Sequence, residues 1–202
     1  GLNGHMVVYG VQSPLTDYGT LTERLQQLDG VTHAAPLVEG QVLANANGVS
    51  KGALVRGIQP QDFMSRTLLA NNIKSGDLAA FQRGEGLIVG VELARQMGLA
   101  PGRPVTLLSP KGTASAFGTL PNARQFPVAA VFDVGMYEYD SSFIFMPLEL
   151  SQAFFKKPCL VSFRNTNTRI PNDKMNRPRL CIACDRQADF TSVRRKLDRI
   201  DN

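Results

Sequence analysis

The residues that could carry out chemistry are few, and three of them are cysteines near the C-terminal end. Cys181 and Cys184 form a CxxC pair, a spacing found in redox-active disulfides and in zinc sites. A zinc site needs a second pair of ligands, and the remaining cysteine, Cys159, stands alone upstream. The stretch "LCIAC" favours a strand, in which residues three apart face opposite sides. We therefore interpret these cysteines as buried or incidental thiols, and we predict no metal site and no cofactor.

The other candidates for catalysis are two histidines, an acidic cluster and a glycine-rich stretch. His5 and His33 are the histidines of the chain, and neither accompanies a Ser or Cys in a nucleophile-elbow context. "YEYD" (137–140) holds two carboxylates, but the local sequence offers no apolar pocket that would separate their pKa values, so a polar turn is expected. "GEGLIVG" (84–90) lacks the lysine of a phosphate-binding loop and runs into a strand. The chain is predicted to have no catalytic residues and not to be an enzyme.

The positive charge of the chain is concentrated in its last segment. The formal net charge is +5, made of 10 basic and 12 acidic side chains in residues 1–155 (10 − 12 = −2) and 12 basic and 5 acidic in residues 156–202 (12 − 5 = +7). A nucleic-acid-binding surface needs aromatic residues on a broad basic face, and this tail has little beyond Phe163 and Phe190. No nucleic-acid partner is therefore predicted. The opening residues contain no signal peptide, so we expect the chain to be an internal part of a longer protein.

The pattern of apolar and turn-forming residues predicts an α+β fold. An Asn47-Gly48 turn within residues 31–58 indicates a β-hairpin. Between two later strands lies a long arm of small, polar and turn-forming residues, framed by Pro110 and Pro121. The other predicted elements are a strand at 5–10, a helix within 17–30, a strand at 86–90, a helix at 91–99, strands at 102–109 and 124–134, a strand and helix within 141–155, strands in "CLVSFRN" and "RLCIAC", and a helix at 188–200.

Three stretches resemble the periplasmic domain of the LolC/LolE family, the membrane subunits of lipoprotein-releasing ABC transporters. They are "GLIVGVELARQMGLAPGRPVTLLSP" (86–110), "FPVAAVFDVGMYEYDSSFIFMPLELSQAFF" (126–155) and "VTHAAPLVEGQVLANANG…ALVRGI" (31–58). The resemblance covers residues 1–157. It implies a fold shared with MacB-type and FtsX-type permeases: a small α/β subdomain, called Porter-like and split in sequence, with a mostly β insertion called Sabre-like.

The resemblance places the boundaries of these subdomains. Residues 1–60 and 158–202 would form the Porter-like part, and residues 61–157 the Sabre-like part with a hook at 110–121. The tail departs from the family pattern, because the strand "V-x-x-I-E-V-x-V" and the acidic "D-P-D" expected after residue 157 are missing. Two explanations stay open: a change of reading frame near Pro158, or a divergent but natural strand and helix.

The resemblance also gives the arm a function. In LolC the corresponding hairpin is a hook that engages the periplasmic lipoprotein chaperone LolA. Arg124 resembles a basic residue that supports chaperone contact at the base of the hook, whereas Ala123 and Thr106 stand where a polar and a second basic residue are expected. The residues that would form the hook are Pro110, Phe117, Gly118, Leu120 and Pro121.

The family implies a setting at the bacterial inner membrane, with this domain in the periplasm between flanking transmembrane helices. Its implied partners are a LolA-like chaperone, a lipoprotein substrate, a second permease subunit and a LolD-like cytoplasmic subunit that hydrolyses ATP. One alternative is a MacB-like or FtsX-like domain for mechanotransmission, efflux or signalling, which is expected to lack the proline-framed arm. Another is a redox or zinc protein that would depend on the CxxC pair alone.

Overall fold

The computed structural model describes residues 4–10, 18–115, 118–155, 160–165 and 180–184. The predicted helix at 188–200, Cys159 and Phe117 lie outside these residues. Helices are interspersed with strands through the described ranges, and the strands form a mixed sheet. The strands are β1 (Met6–Gly10), β2 (Val31–Ala46), β3 (Val49–Ile58), β4 (Ile73–Gly76), β5 (Leu87–Gly90), β6 (Pro104–Ser115), β7 (Gly118–Phe132), β8 (Phe143–Pro147), β9 (Leu160–Asn165) and β10 (Leu180–Cys184). The helices are α1 (Tyr18–Gln26), α2 (Pro60–Ser65), α3 (Thr67–Ala70), α4 (Leu78–Gln82), α5 (Val91–Met97), α6 (Tyr137–Asp140) and α7 (Leu148–Phe155).

The first of two compact units combines the two ends of the chain, Gly1–Pro36 and Pro158–Asn202. In it β1 pairs antiparallel with both β9 and β10. Both predicted tail strands are therefore present, and Cys181 and Cys184 lie on β10 opposite Tyr9 and Met6. The helix predicted within 17–30 is also confirmed, and its leucines pack into one small apolar core. Its members are Met6, Val8, Leu25 and Ala34, with Tyr18, Leu21, Leu28 and Val31 packed against them.

The second unit, Leu37–Lys157, is built on a mixed sheet. The predicted hairpin is confirmed: β2 and β3 meet at a turn in which Asn47 and Gly48 both have positive φ, 50° and 77°. β3 pairs parallel with β8, which pairs antiparallel with β5, and β5 pairs parallel with β7. The long strand β7 also pairs antiparallel with β4 and β6.

The core of the second unit is an aromatic cluster between its helices and the sheet. Phe63 of α2 lies with its ring centroid 5.3 Å from those of Phe81 and Phe145, and Phe132 stands 5.3 Å from Phe145. These four side chains are fully buried. Such edge-to-face and tilted arrangements let the positive edge of one ring meet the negative face of another. The cluster holds α2 and α4 on one side of the strands that carry the arm.

The boundary between the units differs from the predicted one after residue 60. The structure assigns the hairpin to the second unit from Leu37 onwards. The physical reason is a long-range pairing: β3 runs beside β8 from Leu54↔Phe143 to Ile58↔Pro147. The identification of the units with the Porter-like and Sabre-like subdomains stays a prediction.

The arm between the strands predicted at 102–109 and 124–134 is itself a β-ribbon. The ladder of β6 and β7 runs from Pro104↔Pro127 to Ser109↔Asn122, and it resumes from Thr113↔Leu120 to Ser115↔Gly118. The register shifts in between, where β6 carries more residues than β7. In the described ranges no helix has the length and apolar character needed to cross a bilayer.

Candidate partner-binding site

The arm leaves the sheet at a fork between β2 and β6. These strands pair from Asn45↔Thr106 to Leu43↔Leu108. Pro110 follows in β6, and Pro121 stands near it in β7. Proline has no backbone N–H, so neither residue can donate to a further strand, and proline is found at edges and bulges for this reason. Beyond Leu108 the described ladder of β6 is therefore with β7, and the pair continues as a two-stranded ribbon.

A groove of about 640 Å³ lies at this fork. The lining residues that the structure describes are all uncharged, and most are aliphatic, glycine or proline. A smaller cavity of about 270 Å³ adjoins it, because the two share Gln41, Leu54, Ser109 and Pro110. The lining of the larger groove is Gln41, Val42, Leu43, Gly52, Ala53, Leu54, Leu108, Ser109, Pro110, Pro121 and Ser142.

None of the described helices covers one face of the sheet at this point, and the groove lies on that face. Side chains alternate between faces along a strand, so Gln41 and Leu43 of β2 share a face with their partners Leu54 and Gly52 of β3. Leu43 is 45% exposed, which is unusual for a leucine in the middle of a sheet. Gly52 offers no side chain opposite it, and a Cβ atom built there would meet nothing within 4 Å. The missing side chain leaves the space open.

The opposite face is sealed by α7. Ser151 of this helix contacts Gly57 of β3 so closely that a Cβ atom on the glycine would overlap it, and Phe155 packs in the same way on Gly40 of β2. Asn122 of β7 donates a hydrogen bond from Nδ2 to the carbonyl oxygen of Phe154, 2.6 Å away. Helix α7 is thereby fixed to the root of the arm, which gives the groove a rigid floor.

A buried ion pair neutralises the charged end of the smaller cavity. Glu39 lines this cavity, and its Oε1 accepts a hydrogen bond of 2.7 Å from Nε of Arg56, its partner across the β2–β3 ladder. Arg56 is 7% exposed and lies over the ring of Phe143 at 5.0 Å. Cation–π contact and ion pairing together compensate the guanidinium for its lost hydration. The two cavities therefore present little net charge to a ligand.

The structure brings together some of the predicted hook residues and separates others. Pro110 and Pro121 both line the groove and are exposed. Arg124 stands opposite Leu107 in the ladder, and its guanidinium carbon lies 5.7 Å from the ring centre of Phe126. By alternation this is the face away from the groove. Arg124 and the two prolines consequently do not form one surface on a single face of the ribbon.

The remaining predicted positions are described only in part. The backbones of Gly118 and Leu120 lie in β7, opposite Ser115 and Thr113. Phe117 is outside the described residues. Their roles in partner contact stay predictions.

The two departures from the family pattern lie on the face that carries the groove. Ala123 stands opposite Leu108, and Thr106 stands opposite Asn45. An uncharged surface therefore extends from the groove towards the positions where the family pattern expects polar and basic residues.

Leu43, Gly52, Leu54 and Leu108 were missed as site residues by sequence reasoning. A signal was present in "QVLANA", where buried Val42 and Ala44 alternate with exposed positions, so that Leu43 falls on the exposed face. Periodicity could have identified this exposed leucine, but only the fold brings it beside the residues of β3 and β6.

The acidic stretch "YEYD" forms the short helix α6 rather than the polar turn that was expected. Asp140 is 3% exposed, and its two carboxylate oxygens accept hydrogen bonds of 3.0 Å from the backbone N–H groups of Val134 and Met136. Burial raises the pKa of Asp140, while these backbone hydrogen bonds lower it. The carboxylate thus braces the loop before α6. No group of three His, Cys, Asp or Glu side chains forms a metal-binding arrangement within the described part of the chain.

Comparison with known proteins supplies relatives of this chain, although no family model matches it. It is 27% identical over 153 residues to the lipoprotein-releasing system transmembrane protein LolC of Neisseria meningitidis serogroup B, covering 75% of this chain and 37% of the relative. LolC of Xylella fastidiosa strain Temecula1 is 26% identical over 156 residues, covering 77% and 38%. The chain is similar in sequence to proteins named LolC. The resemblance inferred from the sequence is therefore confirmed, and the chain spans little more than a third of the length of these relatives.

Solved structures confirm the class of fold. The periplasmic region of MacB from Actinobacillus actinomycetemcomitans matches with a TM-score of 0.53 at 12% identity, covering 98% of this chain and 94% of that chain. The extracellular domain of the noncanonic ABC-type transporter YknZ from Gram-positive bacteria also has a TM-score of 0.53, at 16% identity, covering 80% and 83%. At these identities the similarity establishes a common architecture. The predicted fold shared with MacB-type permeases is thereby confirmed at the level of the architecture.

Proposed function

We propose that this chain is the periplasmic domain of a lipoprotein-releasing ABC transporter permease subunit, and that its arm docks a LolA-type lipoprotein chaperone. The domain has no catalytic role, and ATP is hydrolysed by a separate LolD-like cytoplasmic subunit. Flanking transmembrane helices, a second permease subunit and a bound lipoprotein complete the working transporter at the bacterial inner membrane. The homology to proteins named as LolC supports the general role.

The observation that carries the docking role is the ribbon formed by β6 and β7 beyond the fork. Two-stranded ribbons are marginally stable in water by themselves, because two strands bury little apolar surface. The ladder nevertheless continues to Ser115↔Gly118, well past the last described pairing of β6 with β2 at Leu43↔Leu108. A projecting ribbon presents backbone and side chains that a partner protein can cover, as in strand and hairpin docking.

Chaperone capture by the purified chain tests this proposal. The chain is immobilised, a LolA-type chaperone is passed over it, and the retained amount is measured. Replacing Phe117 and Leu120 together by aspartate is expected to weaken capture at least about tenfold, because truncating or charging central apolar anchors removes most of the binding energy of an interface. Tyr137→Asp is the matched control, since Tyr137 is 65% exposed and lies on α6, away from the arm.

The result must be read beside a measurement of folding. Circular dichroism and thermal unfolding establish whether the variants keep the wild-type fold. Undiminished capture by the folded double variant contradicts the arm as the docking element. A folded wild-type chain that captures no chaperone contradicts the docking role altogether, and leaves a MacB-like or FtsX-like task as the alternative.

A further inference from the structure

The groove at the root of the arm has a chemistry that chaperone docking does not explain. Among the described residues its lining is mainly aliphatic, with Leu43, Leu54, Leu108 and the two prolines; it includes the polar side chains of Gln41, Ser109 and Ser142 and none that is charged. The carboxylate of Glu39 in the adjoining cavity is already paired with Arg56. A volume of about 640 Å³ lies within the range of about 300–1,000 Å³ that is typical of pockets for small-molecule ligands. The occupant of such a groove is apolar and uncharged where it contacts the walls.

We propose that this groove binds an alkyl chain of a lipoprotein's lipid anchor. The inference rests on the function proposed above, because it takes its ligand from the lipoprotein cargo. It adds that this domain itself contacts the lipid part of the cargo, at the place where the arm begins.

The polar groups of the lining favour an alkyl chain over a peptide segment. Every residue of a bound peptide brings an N–H and a carbonyl group, which need partners when they are buried. Pro110 and Pro121 provide no backbone N–H, and Gly52 provides no side chain. Ser109 is buried, so among the described lining residues Gln41 and Ser142 remain as accessible polar side chains, too few to pair the N–H and carbonyl groups of a peptide segment. An alkyl chain has no hydrogen-bonding group to satisfy, and it gains stability from contact with aliphatic walls.

The groove lies directly beside the two strands of the arm. Pro110 and Pro121 belong both to the lining and to the two strands of the ribbon. A ligand lying along Leu43 and Leu108 therefore reaches the root of the element that we propose for chaperone docking. The floor of the groove is held rigid by α7, so the site is preformed and need not be ordered at the moment of binding.

A photoreactive lipid tests the proposal on the intact chain. The probe is glyceryl monopalmitate with a diazirine in the middle of its alkyl chain, used below its critical micelle concentration. After illumination, mass spectrometry of peptides locates the labelled residues. We expect labels on the strand segments around Leu43, Leu54 and Leu108. Labelling spread over the surface, or absent from these segments, overturns the proposal.

Gly52→Phe is the decisive variant, because a side chain at this position enters free space. Gly52 is outside the left-handed region, and its Cβ position is unobstructed, so the ring fills the groove without backbone strain. Labelling is expected to fall at least about tenfold, since excluding even two methylene groups from an apolar site costs that much affinity. Met64→Phe on α2 places a phenyl ring at an exposed position outside the lining and is expected to label like the wild type.

A second variant and a second assay keep the outcomes distinct. Leu43→Glu places a charge in the groove at a half-exposed position, and it replaces Gly52→Phe if that variant does not fold. One outcome is a Gly52→Phe chain that is still labelled fully by the lipid and yet no longer captures the chaperone. In that case the groove is a protein-docking surface, and the alkyl-chain proposal is wrong. Wild-type labelling of the groove without any chaperone capture supports the alkyl site while contradicting the docking function, so the two failures are distinguishable.

Discussion

Replacing Gly57 by alanine is expected to destabilise the second unit, because it forces β3 and α7 apart. The added Cβ atom would lie well inside 3.0 Å of Ser151, a separation that Cβ atoms do not tolerate. Ser151 is fully buried and donates a hydrogen bond of 2.6 Å from Oγ to the carbonyl oxygen of Leu148, so it cannot turn away freely. The helix must shift or the hydrogen bond must break.

The magnitude follows from three contributions to the free energy of unfolding. Overpacking a buried site costs about 1–3 kcal/mol. Losing the Ser151 hydrogen bond costs about 1 kcal/mol more. Alanine is favoured over glycine in a strand by about 0.5–1 kcal/mol, which offsets part of this. Gly57→Ala is therefore expected to lose about 1–3 kcal/mol, whereas Gly52→Ala, which meets no atom within 4 Å, is expected to gain up to about 1 kcal/mol.

Urea unfolding followed by circular dichroism measures this difference, since the chain contains no tryptophan for fluorescence. The two variants lie in the same strand, so strand propensity cancels between them. Ser151→Ala removes the oxygen nearest to the new methyl group, and combined with Gly57→Ala it is expected to restore part of the loss. Equal stability of Gly57→Ala and Gly52→Ala would refute the account of one sealed and one open face of the sheet.

Two further substitutions test the stability of the second unit at buried residues outside the groove. Asp140→Asn removes one of two oxygens that accept backbone hydrogen bonds, and is expected to lower stability by about 1–3 kcal/mol in urea unfolding. Burial raises the pKa of Asp140 in the folded state, so the folded wild-type chain takes up a proton before the unfolded chain does as the pH falls. The free energy of unfolding of the wild type is therefore expected to rise relative to that of Asp140→Asn as the pH falls towards 3.8, the ordinary pKa. A difference between the two that stays constant with pH would contradict this expectation. Phe63→Ala is expected to cost about 3–5 kcal/mol, because it empties the centre of the aromatic cluster, and an unchanged urea midpoint would refute that role.

Local chemistry explains why parts of the fold were predictable from the sequence. The hairpin of β2 and β3 follows from Asn47-Gly48, a dipeptide that accepts the two positive φ angles that a tight hairpin turn needs. Helix α5 ends where Gly98 adopts the left-handed conformation with a φ of 62°, as the predicted helix end required. In both cases neighbouring residues supply the whole signal.

The parts that were not predictable depend on pairing between distant residues. The predicted boundary after residue 60 stays a prediction, whereas the contacts group the hairpin with the second unit because β3 pairs with β8, and no local pattern in "ALVRGI" announces a partner more than eighty residues away. The residue pattern alone marked the arm only as a stretch of small, polar and turn-forming residues, which are poor strand formers, although its two halves pair with each other. The face of the ribbon on which Arg124 lies depends on the register of that ladder, and composition does not specify the register.

The arm and the groove both follow from the missing backbone N–H groups of Pro110 and Pro121. A ladder residue with an N–H at position 110 could extend the pairing of β6 with β2 beyond Leu43↔Leu108, and the strands would then have no reason to diverge. Proline removes that donor, the strands separate, and the gap between them becomes a groove while β6 and β7 continue as a ribbon. Residues that end the pairing of β6 with β2 and let β6 and β7 continue as a ribbon thus also open an apolar groove at the base of the arm. This geometric dependence is why the alkyl-chain site and the docking arm, although tested by separate assays, are proposed as parts of one device.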